Sequence, residues 1–165
     1  SVLFLPVTAL AQIDKMELMG QGDVRYLGFI KVYDAYLYTE NKGNENNILD
    51  PDISKCLKLE YDVSLTKNNF IEGANTVLSR QYPAKILEEL EPELNRLHNA
   101  YQPVEEGDAY TLCYDADSST TTLSLNGADL TTITSEYFSR LYFGIWLGEK
   151  GAIDEDLRND LLDKR

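Results

Sequence analysis

The sequence predicts an α+β domain in which an antiparallel β-sheet has its helices gathered on one face. Three observations lead there. Apolar residues follow strand-like alternation, then two helical stretches, then strands again, then two more helices. That order lacks the regular strand–helix alternation of a parallel, doubly wound sheet. The chain has 165 residues, 43% of them apolar, which suits one domain with one core.

Each element has its own local reason. Residues 1–11, SVLFLPVTALA, form an apolar run ending in Ala9-Leu10-Ala11. They read as the remnant of a secretory signal peptide, with a first strand as the alternative, and the domain proper is expected over 12–165. Residues 15–19, KMELM, alternate briefly before Gln21-Gly22-Asp23. Residues 24–38 are β-branched and aromatic, so they read as a long strand or hairpin that Gly28 lets bend. Residues 41–51 form a polar loop full of turn formers. Residues 55–63 alternate, with Leu57, Leu59 and Tyr61 as the more apolar face.

Thr66 is placed to cap a helix running to about Arg80, whose Phe70, Ala74, Val77 and Leu78 recur at helical spacing. Pro83 suits the start of a helix over 84–101, which Pro92 must kink or split. Residues 109–114 and 121–125 read as a hairpin around the turn 115–119, and Asn126-Gly127 marks another turn. Ser135 is placed to cap a helix over 136–147, apolar nearly all round and therefore buried. Gly148 ends it, and Asp154 caps a last helix presenting Leu157, Leu161 and Leu162.

Charge narrows the function. A formal net charge of -13 argues against nucleic acid, which needs clustered Lys and Arg, and against anionic lipid headgroups. No apolar run is long enough to span a bilayer. There is no Gly-rich phosphate loop and no nucleophile elbow, so no catalytic residue is assigned. The single histidine, His98, falls on a polar helix face expected to be exposed. Two cysteines and one histidine cannot close a structural zinc site without carboxylates, and no metal or cofactor is expected. Cys56 and Cys113 fall on strands of one sheet, either bonded or as buried thiols; export would favour the bond. The 11 tyrosines suit a wall with an apolar body and polar tips.

Arg25 stands among apolar and aromatic neighbours. Pointing inward it must be paired or receive an anion, for which its planar fork suits a carboxylate; the alternative is an outward Arg on a solvated face.

The stretch GQGDVRYLGFIKVYDAYLYTE resembles the opening hairpin of chalcone isomerase-like proteins, with its Gly-x-x-Arg element and Phe-x-Lys-x strand. GDAYTLCYD, TLSLNG and YFSRLYFGIWLGEKGAIDEDLRNDLL follow in the family's order, so the likeness covers about 15–163. It is similar above all to the bacterial, exported subgroup. The resemblance implies an open-faced antiparallel sheet with helices layered over it and a ligand cleft between. It carries the family's substrate-binding Arg onto Arg25. The other functional positions fall on Tyr33, Phe70, Val77 and Ile145, where the polar groups of the plant enzymes are changed or gone. Isomerase activity is therefore not expected. Arg25 with Tyr33 is similar to the carboxylate site of the fatty-acid-binding relatives. The expectation is a non-catalytic periplasmic or secreted protein that binds a small amphipathic, fatty-acid-like carboxylate. The alternatives are a periplasmic structural or partner-binding protein without a small ligand, and an isomerase or lyase on another substrate.

Overall fold

The computed structural model describes residues 8–40 and 46–164. Residues 1–7 of the expected leader and 41–45 of the expected polar loop lie outside the described residues. Among the described residues six antiparallel strands form one sheet in sequence order: β1 Glu17–Tyr26, β2 Ile30–Thr39, β3 Lys55–Tyr61, β4 Ala109–Asp115, β5 Thr120–Leu125 and β6 Ala128–Thr134. The helices are α1 Ala9–Asp14, α2 Lys67–Gln81, α3 Ala84–Glu89, α4 Glu91–Ala100, α5 Glu136–Leu147 and α6 Glu155–Leu161. This is the α+β architecture expected from the order of hydrophobic patterns.

The caps are where the sequence puts them. Thr66 accepts from the Asn69 amide at 3.2 Å and Asn69 Oδ1 accepts from the Thr66 amide, closing a capping box on α2. Ser135 and Asp154 cap α5 and α6 by accepting from the Phe138 and Leu157 amides. Pro92 splits the expected 84–101 helix into α3 and α4 and sits in the first turn of α4, where its missing N–H leaves no bond unmade.

The inner face of the sheet carries Tyr33, Ala35 and Leu37 of β2 and Leu57, Leu59 and Tyr61 of β3, all buried in the main core with α2, α5 and α6. Cys56 lies on the opposite face, directly across from Cys113, and the two are bonded. There α1 packs over the disulfide with Ala9 against both sulfurs' residues. So Thr8 and Ala9, read as the end of a leader, belong to a helix cap and a buried contact.

β1 and β6 extend beyond the strands that the sequence pattern marked. Gly20 and Gly22 lie within β1, and α6 packs directly on them. A Cβ at Gly20 would fall on the carbonyl oxygens of Asp160 and Leu161. The hairpin turn is at Leu27-Gly28, with φ of 54° and 79°. After the Asn126-Gly127 turn the chain enters β6, which its polar sequence ADLTTIT did not announce.

Candidate functional site

Between the inner face of the sheet and helices α2 and α5 lies a cavity of about 140 Å³. Its floor is Tyr33 of β2, Leu57, Leu59 and Tyr61 of β3, Tyr110 and Leu112 of β4, and Leu123 of β5. Phe70 and Ala74 of α2 and Tyr142, Ile145 and Trp146 of α5 form the roof, and Tyr101 closes one side after α4. Asn69 and Gly73 line it too and are exposed, so it opens to solvent along α2. A side chain at Gly73 would meet nothing, which leaves that mouth clear.

The rings hold one another in place. Phe70 stacks on Tyr101 with centroids 5.1 Å apart, and Tyr61 meets Tyr33, Phe70 and Tyr110 edge to face at 5.7, 5.5 and 6.1 Å. The polar tips are only partly satisfied. Trp146 Nε1 donates to Tyr33 Oη at 3.2 Å, which leaves the Tyr33 proton without an acceptor among the described residues. Tyr101 and Tyr142 share one hydroxyl–hydroxyl bond of 2.7 Å, so one proton of that pair is also free. Tyr61 Oη has no hydrogen-bond partner among the described residues. Tyr110, by contrast, donates to the Gln102 carbonyl at 2.7 Å.

Burial pushes the phenols of Tyr33, Tyr61, Tyr101 and Tyr142 well above the ordinary tyrosine range. They stay protonated, so they act as donors and not as bases. No Lys, Arg, His, Asp, Glu or Cys is among the lining residues. The arrangement is therefore an apolar slot with a cluster of neutral hydroxyl donors.

Of the five positions singled out in the sequence, Tyr33, Phe70 and Ile145 line this cavity. Val77 is buried in the core on α2 and does not line it. Arg25 is placed differently from the expected inward orientation. Its side chain is 46% exposed and pairs with Asp23, Nη2 to Oδ2 at 3.0 Å. The reason is strand phase. Val24 opposes inward-facing Tyr33, so Arg25 shares the outer face with Asp23, two residues back. An extra residue in β2, Val32, then sets Lys31 opposite Arg25.

Sequence reasoning missed Tyr61, Tyr101, Tyr110, Tyr142 and Trp146 as lining residues. The available signal was Tyr at the inward phase of successive strands: Tyr33 pairs with Tyr61, and Tyr110 with Leu59.

Two other groups are buried, the first against the sequence reading. His98 is buried, not exposed; burial lowers its pKa to about 4, and its Nε2 has no partner. Lys55 is fully buried at the inward phase of β3, with Nζ donating to the Ile53 carbonyl at 2.7 Å and lying 4.5 Å from the Tyr114 ring centroid. Burial lowers its pKa to about 7, partly offset by Asp50.

Residues 4–163 match the family model described as chalcone isomerase-like. A crystal structure of a fatty-acid binding protein from Arabidopsis thaliana shares the fold, with a TM-score of 0.69 at 19% identity over 91% of this chain and 88% of that one. No sequence among the curated proteins matches this chain. With the family's model covering nearly the whole length, this chain belongs to the chalcone isomerase-like family.

Proposed function

We propose that this protein binds a small amphipathic molecule in the tyrosine-lined cavity without transforming it. The observation that carries the proposal is the pairing of an apolar floor with three phenolic protons that have no internal acceptor. Donors that face the cavity without an internal acceptor are available to a ligand oxygen in place of water. Lining residues that neither titrate near neutrality nor supply a nucleophile support binding over catalysis. The structural likeness to a protein titled a fatty-acid binding protein points to the same ligand class.

The ligand's polar end sits at Tyr33, Tyr61, Tyr101 and Tyr142, and Arg25 takes no part. With no cation in the lining, a carboxylate would be buried unpaired, so a fatty-acid-like ligand enters as the neutral acid. Size sets a second limit. A cavity of about 140 Å³ is near the volume known to hold a benzene ring in an engineered core. A ring or short chain fits inside, and a longer chain leaves past Asn69 and Gly73. We also propose export to an oxidising compartment, periplasmic or extracellular, a reading that the Cys56–Cys113 bond supports.

Native mass spectrometry of the purified protein is expected to reveal a co-purifying small molecule. Calorimetric titration with hexanoic acid is expected to show affinity falling roughly tenfold per pH unit above the acid's pKa, because only the neutral form binds. The matched alcohol should bind without pH dependence. Affinity for the acid that ignores pH would place the carboxylate itself in the cavity. No bound mass and no binding of either compound would reject the ligand reading.

A further inference from the structure

The β1–β2 hairpin ends in Tyr26-Leu27-Gly28-Phe29-Ile30, and its four large apolar side chains stand in solvent, at 60%, 69%, 70% and 41% exposure. They make up four of the seven exposed large hydrophobic residues among the described residues, gathered in one turn. Contiguous exposure of that kind marks an interaction site. The backbone adds an independent observation. Leu27 holds φ +54°, a conformation for which Gly or Asn is preferred. Folding alone would favour a polar turn former there, so Leu27 stands against both local conformation and solvation.

The base of the turn is charged. Arg25 and Lys31 pair across it, and Asp23, Asp34 and Asp62 neutralise them through ion pairs of 3.0, 2.9 and 3.1 Å. The result is an apolar wedge above a collar of both signs. A second copy of the chain is a poor occupant. The tip offers roughly 500 Å² at most, given about 150–250 Å² per aromatic side chain, whereas a standard protein interface buries about 800 Å² on each partner. A lipid surface sets no such threshold. The mixed-sign collar complements headgroups that themselves carry both signs, and the net charge of -13 repels anionic ones.

We propose that the hairpin tip is a membrane-docking wedge, with Leu27 and Phe29 entering the interface of a zwitterionic lipid bilayer and the charged collar remaining among the headgroups. Tyr33 and Tyr61 pair at this same end of the sheet, so docking would bring the cavity's polar end close to lipid. That link rests on the ligand reading above; the docking does not.

The wild-type protein is mixed with phosphatidylcholine vesicles and sedimented, alongside the double variant Leu27→Asp/Phe29→Asp. The expected result is wild-type co-sedimentation and at least a tenfold loss in the variant. The variant's melting temperature and hexanoic acid titration should stay unchanged, which separates docking from folding and from the cavity. In the variant Phe29→Trp, emission should shift to the blue on vesicles and be quenched by lipids brominated in the acyl chain. Wild-type protein left in the supernatant, equal sedimentation of the double variant, or tighter binding to phosphatidylglycerol would each overturn the proposal. So would tip-dependent self-association without lipid, which would make the turn an interface between copies.

Discussion

Tyr61 is the residue on which the site reading turns. Its hydroxyl is buried in the cavity, and its ring is held by three neighbours. Removing only the oxygen leaves the packing intact and takes away one unmatched donor. Tyr61→Phe is therefore expected to leave stability unchanged or slightly raised while lowering ligand affinity by about 0.5–1.5 kcal/mol, the usual net value of one hydrogen bond. Thermal melting and titration on the same preparation check both. A destabilised variant with unchanged affinity would assign the hydroxyl a structural role. At this scale the sequence was a mixed guide. It placed Tyr33, Phe70 and Ile145 in the cleft but turned Arg25 the wrong way. A residue's apolar neighbours in sequence do not fix its face; strand phase does, and Asp23 two residues back marked that face as the solvated one. His98 was read as exposed because it falls on a polar helix face, and the burial of Lys55 was not foreseen. Nothing local to a sequence shows that Tyr114, Phe143 and the Ile53 carbonyl converge on the Lys55 nitrogen.

Elements marked by caps and by strong periodicity were legible: α2, α5, α6, the alternation of β3, and the break at Pro92. The failures share a cause. Gly20 and Gly22 look like turn formers, yet their meaning is tertiary, since they clear room for the backbone of α6. β6 is polar on nearly every position because only Ile133 is buried. An edge strand with one buried residue lacks the alternation that identifies strands. Gly20→Ala tests the packing account. The new methyl cannot be accommodated by a side-chain rotation, because the atoms it meets are backbone. Destabilisation of about 1–3 kcal/mol is expected, with β1 amides exchanging faster by hydrogen exchange. A silent substitution would mean that α6 is not seated on the strand.

The whole molecule responds to pH through its buried titratable groups. Between about pH 7 and 10.4 the unfolded chain holds a proton on Lys55 that the folded protein has released, so stability rises with pH across that window. Above about pH 10 the sign reverses. Unfolded tyrosines ionise while the buried ones remain protonated, and stability falls. On the acid side, His98 is protonated in the unfolded chain below 6.5 but in the folded one only near 4, so stability falls through that interval. The melting temperature is thus expected to peak near pH 9–10, and Lys55→Met should flatten the rise from neutral pH. A maximum at pH 6 or below would contradict the buried, uncharged amine. The disulfide acts on the other partner of the equilibrium. It closes a separation of 57 residues, for which chain entropy alone gives about 4 kcal/mol. Both cysteines are fully buried, so a reductant should act slowly on the native protein and lower the refolded protein's stability by about that amount.

The same bridge bears on the order in which the molecule is put together. Strands β1 to β3 come from one stretch of chain and β4 to β6 from another, with α2, α3 and α4 between them. Pairing within each stretch is local and fast; the β3–β4 pairing must wait for a long excursion to close. The cavity floor is shared across that seam, with Tyr33, Leu57, Leu59 and Tyr61 on one side and Tyr110, Leu112 and Leu123 on the other. Until that seam closes, the cavity floor is incomplete. The Cys56–Cys113 bond lies on that seam and ties the register of the two halves, so the disulfide also secures the floor of the cavity.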